Sequence, residues 1–270
     1  MQVELIGATG SGKSTLADDL CVVACADGRP LMLGSDFLLT VICFCRIRNK
    51  VLRAVLLHVV AAFGCCLGWR KYWRFIAFCW GQLHRPPISR WHRWNQFRKV
   101  LKQLGCFVVV ARDKCNTKRL VIVDEGTVHA AHNVFVHVGT KASQRDLSMF
   151  ADTVPLPDVI VCVCEKEELV VERTIGRGHP RIPTSASRET VVEFVREASD
   201  AFQHLAMHNR IASRTIIVDG LEIITPSDPC NVEQVNVVRD VLCLALARRL
   251  NEDSAGSSGP MSHLSDRQVN

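Results

Sequence analysis

Eight residues near the start of the chain, Gly7-Ala8-Thr9-Gly10-Ser11-Gly12-Lys13-Ser14, complete the pattern G-x-x-x-x-G-K-S/T in the local context that gives it meaning. The short run Val3-Glu4-Leu5-Ile6 precedes it and reads as a buried strand, and Ser14 to Val23 comes after it as a helix. Strand, glycine turn and helix N-terminus together make a phosphate cradle. Backbone N–H groups converge there, and the helix dipole adds partial positive charge. Lys13 is placed to reach β and γ oxygens, and the Ser14 hydroxyl to ligate Mg²⁺. The expected nucleotide-binding set is Gly7, Ala8, Thr9, Gly10, Ser11, Gly12, Lys13, Ser14 and Thr15.

A second element matches the first. Leu120-Val121-Ile122-Val123 is a continuous apolar run ending in Asp124-Glu125-Gly126. A buried parallel strand is apolar on both faces, and an acid at its carboxyl end lies at the crevice where open α/β sheets bind ligands. Asp124 is therefore expected to hold Mg²⁺ opposite Ser14. Elsewhere strands and helices alternate. Leu31 to Leu33, Pro157 to Val163 and Thr215 to Asp219 read as further strands, and Val232 to Leu250 as a closing helix. No internal repeat is visible, and the Ser-, Gly- and Asp-containing stretch 251–270 reads as a disordered tail.

A chain of 270 residues can bury one sizeable core. Its longest apolar run, Ala54 to Trp69, holds 16 residues and includes His58. That is short of the roughly 20 residues of a membrane-crossing helix. The sequence opens directly on a strand, so no signal peptide is expected. Thirteen cysteines show no framework spacing and no C-x-x-C, and Cys43/Cys45 and Cys162/Cys164 sit inside apolar runs. Free thiols and a reducing, cytoplasmic setting are expected.

Four elements occur in order along the chain: the P-loop at 7–14, Ser35-Asp36-Phe37, Asp124-Glu125-Gly126, and an arginine-rich segment after the fourth strand. In this order the chain resembles the P-loop kinases of the nucleoside and nucleotide group, thymidylate-kinase-like or uridine-kinase-like. The resemblance covers residues 1–40 and 119–250 in outline. It implies an α/β fold, a P-loop NTPase three-layer sandwich whose five-stranded parallel sheet has the order 2-3-1-4-5. The kinase-like domain would span 1–250 and carry a helical insertion at 41–118. ATP and Mg²⁺ would be the cofactors, with an acceptor site opposite ATP and a mobile lid. By the same resemblance Asp36 faces the acceptor hydroxyl and takes its proton. An N-cap at Ser35 or Asp36 is the equal alternative for those residues. The segment Arg173-Thr174-Ile175-Gly176-Arg177-Gly178-His179-Pro180-Arg181 is similar to an R-x-x-x-R lid, placed at 173–187. Arg173 and Arg177 are its preferred γ-phosphate contacts, ahead of Arg181 and Arg188; a solvated basic loop is the other reading.

The insertion departs from the family pattern. Between Val41 and Lys118 ten Arg and six Lys face one acid, Asp113, a net charge of +15. All five tryptophans and the single tyrosine fall there too. Its patterning suggests helices near 41–63, 70–82 and 91–104, the last two split by Pro86-Pro87. Three uses compete. Packing on the core around an anionic small-molecule acceptor ranks first. Peripheral contact with a membrane surface ranks second, and nucleic acid third, because no dedicated motif for it is present.

His129, His132 and His137 lie beyond Gly126 without a carboxylate or cysteine to complete a zinc set. Two function classes remain. The first is a phosphotransferase with Lys13, Asp36, Arg173 and Arg177 at the reacting centre. The second is an ATPase acting as a switch or motor, with Glu125 activating water. The chain has neither the LSGGQ element of ABC-type ATPases nor an N-K-x-D for guanine, so the phosphotransferase ranks first. Acceptor identity, base preference and oligomeric state are not legible.

Overall fold

The computed structural model describes residues 1–26, 31–41, 49–113, 120–226, 229 and 232–256. Runs rich in Val, Ile and Leu, the first of them interrupted by Glu4, form the central strands β1 (Gln2–Ile6), β2 (Leu31–Leu33), β3 (Leu120–Val123), β4 (Val159–Cys164) and β5 (Thr215–Asp219). A sixth strand, β6 (Glu222–Ile224), closes the edge, giving the order β2-β3-β1-β4-β5-β6. The first five strands are parallel and keep the expected order; β6 runs antiparallel to β5, pairing Asp219 with Glu222. The added hairpin turns at Gly220, whose φ of 58° is open to glycine at little cost. The fold is thus an α/β sandwich on a mixed, mostly parallel sheet.

Helices cover both faces. α1 (Lys13–Ala26) and α10 (Val232–Gly256) pack on one face against Val3, Leu5, Val161 and Ile216. The other face carries α2 (Gly34–Val41), α3 (Lys50–Gln82), α4 (Arg90–Asp113), α5 (Ala130–Phe135), α6 (Gln144–Thr153), α8 (Arg188–Met207) and α9 (Asn209–Ala212). Between β4 and α8 lies α7 (Glu167–Arg177). The closing helix runs to Gly256, beyond its expected end at Leu250; positions 257–270 of the expected tail lie outside the described residues.

Among the described residues the basic segment forms α3 and α4, so the expected gap between 63 and 70 is helical; positions 42–48 of the first expected helix lie outside the described residues. α3 spans Lys50 to Gln82 and kinks at Tyr72, whose backbone (φ −113°, ψ 18°) is not helical. Asn49 caps its N-terminus, accepting from the Val51 and Leu52 amides. α3 is also long and apolar enough to cross a membrane, contrary to the expectation for this sequence. The reason is that the helix starts ahead of Ala54, so Val51 and Leu52 lengthen the apolar run, while a second apolar stretch follows Arg70, Lys71 and Arg74. That second stretch is core: Phe75, Ile76, Cys79 and the adjoining Leu83 are buried with Phe97, Leu104 and Phe150.

α3 and α4 approach very closely. A Cβ on Gly105 would collide with the Ala61 carbonyl oxygen, and one on Gly64 would collide with the Gly105 oxygen. Only glycine permits this crossing, which seats Val60, Val109 and Val110 over Val121 of β3. The basic segment therefore builds one wall of the crevice at the carboxyl ends of the parallel strands.

Candidate functional site

The P-loop adopts the shape its glycines allow. Gly7, Gly10 and Gly12 have φ values of 143°, 91° and 91°, which favour a residue without Cβ. A Cβ at Gly7 would also run into the Val163 carbonyl oxygen, so the loop is pressed against the end of β4. α1 begins at Lys13, and the first amides of a helix have no intrahelical acceptor. Free N–H groups at a helix N-terminus are suited to an anion.

The Lys13 ammonium is buried and donates to the Gly7 and Ala8 carbonyl oxygens, each at 2.8 Å. Burial lowers its pKa to about 8, with the charges of Asp124 and Glu125 opposing the shift. The Ser14 hydroxyl donates to Asp124 Oδ2 at 2.9 Å across a separation of 110 residues. The other carboxylate oxygen, Asp124 Oδ1, is buried with no hydrogen-bond partner. An orphaned carboxylate oxygen beside a serine hydroxyl is an oxygen donor set suited to Mg²⁺, which keeps several waters and takes few protein ligands.

The turn that carries Asp124, Glu125 and Gly126 is held from beneath by Glu4, a residue on β1 that no motif singles out. Glu4 is fully buried; Oε1 accepts the His129 amide at 2.7 Å, while Oε2 has no partner. A Cβ on Gly126 would collide with the Glu4 carboxyl group. Desolvation raises the Glu4 pKa to about 8, against the lowering effect of amides 127 to 129.

Next to Ser14 and Asp124 lies a cavity of about 310 Å³. Leu33, Leu38, Leu57 and Val110 give it apolar walls, and Ser35, Lys102, Asp124 and Glu125 bring polar groups to it. Asp36, the expected acceptor base, is not among its lining residues. The α2 backbone turns Ser35 inward, and the Asp36 carboxylate instead pairs with the Arg53 guanidinium of α3, which also reaches Ser35 Oγ at 3.3 Å. The carboxylates that do line the cavity are Asp18, Asp124 and Glu125, and of these Asp124 is engaged by Ser14.

The arginines also distribute differently from the expected order. Arg173 reaches the Gly10 carbonyl at 3.2 Å and Glu165 at 3.5 Å, and Thr174 Oγ1 donates to the Thr9 carbonyl at 3.1 Å, so α7 is fastened to the P-loop. Arg177 is exposed in the last turn of α7. Arg188 pairs at the surface with Glu172 at 2.6 Å. Arg181, ranked behind Arg173 and Arg177, is the one turned inward. It donates to the His132 and Val136 carbonyls at 2.7 and 3.0 Å and to Asn133 Oδ1. Burial lowers its pKa to about 10, and the negative charge of Glu125 opposes that shift.

From α4, Lys99 joins the same group: burial, then Arg181, lowers its pKa, and Glu125 opposes this. Gln103 accepts from Asn133 at 3.2 Å and leaves its Nε2 buried and unpartnered. Lys99, Lys102 and Gln103 are spaced three and four apart, the signature of one helix face, and that spacing was available in the sequence. His129 and His132 stack with Phe202, and burial holds both well below the ordinary histidine pKa, so they are neutral near pH 7.

No protein-family description and no curated protein matches this sequence. Among solved structures, the chain is similar to shikimate kinase from Acinetobacter baumannii in complex with shikimate, at 11% identity and a TM-score of 0.36, covering 92% of this chain and 94% of that one. It is similar to deoxyadenosine kinase from M. mycoides with bound dATP at 11% identity and a TM-score of 0.37, covering 93% and 100%. It is also similar to a gluconokinase from Sinorhizobium meliloti at 15% identity and a TM-score of 0.30, covering 96% and 97%. At these TM-scores the likenesses carry no argument about activity, and the functional reading rests on the chain's own sheet order and crevice.

Proposed function

We propose that this chain is an ATP- and Mg²⁺-dependent phosphotransferase whose small acceptor combines an apolar body with a hydroxyl or anionic group. The observation that carries the reading is the cavity of about 310 Å³ beside the Ser14–Asp124 pair. A hydrolase needs room there for water alone, whose share of liquid volume is about 30 Å³. A space ten times larger with apolar walls supports an organic acceptor.

In this reading the P-loop amides and the α1 N-terminus hold the β-phosphate. Ser14 and Asp124 would hold Mg²⁺, which when bound neutralises charge on the phosphate oxygens. Lys13 exchanges its two carbonyl acceptors for phosphate oxygens, and their charge restores an ammonium that burial has weakened. Glu125, rather than Asp36, is placed to orient the acceptor hydroxyl and take its proton. Lys102 offers a cation to an anionic acceptor group. Residues 173–187 act as the lid, with Arg173 fixed at the P-loop and Arg181 supplying positive charge near Glu125. Residues 41–118 serve as the acceptor wall within one kinase-like domain.

The test is ADP production by the purified chain with and without a pooled set of nucleosides, nucleotides, sugars and amphiphilic alcohols, with Lys13→Ala as blank. Acceptor-dependent turnover that Glu125→Gln abolishes supports the proposal. Steady phosphate release that no acceptor alters would assign the site to an ATPase instead.

A further inference from the structure

The face of α3 turned away from the core has no partner among the described residues, and its chemistry is unusual for a water-exposed surface. From Val51 to Trp69 every exposed residue is apolar except His58. Val51, Val59 and Phe63 are 73%, 59% and 63% exposed, and only 28% of the helix's most apolar window is buried. At a rise of about 1.5 Å per residue, that stripe is about 27 Å long. Isolated apolar residues on a surface are ordinary, but a continuous stripe of this size marks an interaction site.

The next two turns of the helix point to the partner. Trp69 and Trp73 are exposed and interleaved with exposed Arg70, Lys71 and Arg74. Indole rings and basic side chains beside an apolar stripe suit the boundary between acyl chains and headgroups. No acid occurs on α3, nor on α4 before Asp113, and the 41–118 segment carries ten Arg and six Lys against that one acid. A second copy of the chain would therefore bring two strongly positive segments together. Nucleic acid would meet a stripe that offers no cation to its phosphates between Val55 and Trp69. An anionic bilayer satisfies both halves, because acyl chains cover the stripe and headgroups meet the arginines.

We infer that α3 lies along the surface of an anionic lipid bilayer, with Val55, Val59 and Phe63 dipping into the acyl boundary and Trp69 to Arg74 at the headgroups. The buried side of α3 stays in the core, so the helix rests on the membrane without crossing it. The anchoring is separate from phosphotransfer and holds whichever acceptor the cavity takes.

The experiment uses the full chain mixed with phosphatidylcholine vesicles, with or without about one-third phosphatidylserine. Binding is read by co-sedimentation and by the blue shift of tryptophan fluorescence. Binding to the anionic vesicles is expected. It should fall at least about tenfold in V55S/V59S/F63S and to a similar extent in R70E/K71E/R74E. These positions are exposed and outside the nucleotide site, so unchanged ATP affinity verifies that both variants are folded. No binding to anionic vesicles overturns the inference. So does binding that survives the apolar triple substitution, because charge alone would then explain it. A chain that ignores vesicles yet dimerises, and becomes monomeric in V55S/V59S/F63S, would assign the face to self-association.

Discussion

Glu4 makes stability fall as pH rises through neutrality, and Glu4→Gln should remove that fall. The carboxyl is fully buried on β1, with an ordinary pKa of 4.5 and a folded-state value of about 8. The folded chain thus keeps a proton that the unfolded chain has released between those two values. Stability contributed by the protonated form is fully present below pH 4.5 and is lost as pH rises through 8. Each pKa unit corresponds to about 1.4 kcal/mol, so integration between pH 6 and pH 8 gives a loss of about 2 kcal/mol. Lys13 titrates nearby with the opposite sign. Its depressed pKa of about 8 means that stability recovers chiefly above that pH, and equally in both proteins. The buried His129 and His132 have their effect below their ordinary pKa of 6.5, at the lower edge of this window and again in both proteins. Gln keeps an oxygen to accept the His129 amide and cannot ionise. Urea unfolding at pH 6, 7 and 8 is the assay, with the difference between wild type and Glu4→Gln as the readout. The difference should change by about 2 kcal/mol across the series, in favour of Gln as pH rises. Parallel curves would refute the reasoning, because they would mean that amides 127 to 129 hold an ionised carboxylate and desolvation does not dominate.

The geometry sets three further outcomes. Gly105→Ala should cost about 3 kcal/mol or more in denaturant unfolding, because its methyl would collide with the Ala61 carbonyl; Gly81→Ala, which meets nothing within 4 Å, should be neutral or slightly stabilising. Asp124→Asn and Ser14→Ala should each reduce the Mg²⁺-dependent tightening of ATP binding by at least about tenfold, measured by calorimetry with and without the metal. Glu125→Gln should lower kcat with the identified acceptor by roughly 10²-fold or more, while Asp36→Asn changes it by only a few fold; the reverse ranking would restore Asp36 as the acceptor base.

Much of the sheet could be read from local pattern. Leu120 to Val123 and Val159 to Cys164 are buried on both faces, so their composition alone separates them from amphipathic helices. β6 escaped because three residues with Glu222 at their head show no such run. The basic segment was legible as helical but not in its division. The expected gap between 63 and 70 is helical, and the departure falls instead at Tyr72, inside the second expected helix, where α3 kinks. Asp36 was misplaced because a motif does not say which way a helix is rotated. A shift of one position puts Ser35 at the cavity and leaves Asp36 to Arg53. The arginines fared likewise: Arg173, Arg177 and Arg181 share a spacing of four, but Gly178 breaks the helix before the third. Only the loop beyond it folds back onto α5.

The strand order was implied by a family resemblance; the sequence by itself determined the glycine loop ahead of α1, the acid at the end of β3 and the apolar runs of the central strands. Those features depend on neighbours within a few residues: glycines that accept positive φ, a helix that must start at Lys13, and apolar runs that must be buried. Tertiary structure alone decided that Asp36 pairs with Arg53 and does not line the cavity, which arginine turns inward, why Glu4 holds its proton, and which face of α3 is left without a partner among the described residues. Each of those depends on what lies across the crevice, such as Arg53 against Asp36, Asn133 against Arg181, or the His129 amide against Glu4. Contacts between residues far apart in the chain set burial and local charge, and no local spacing encodes them.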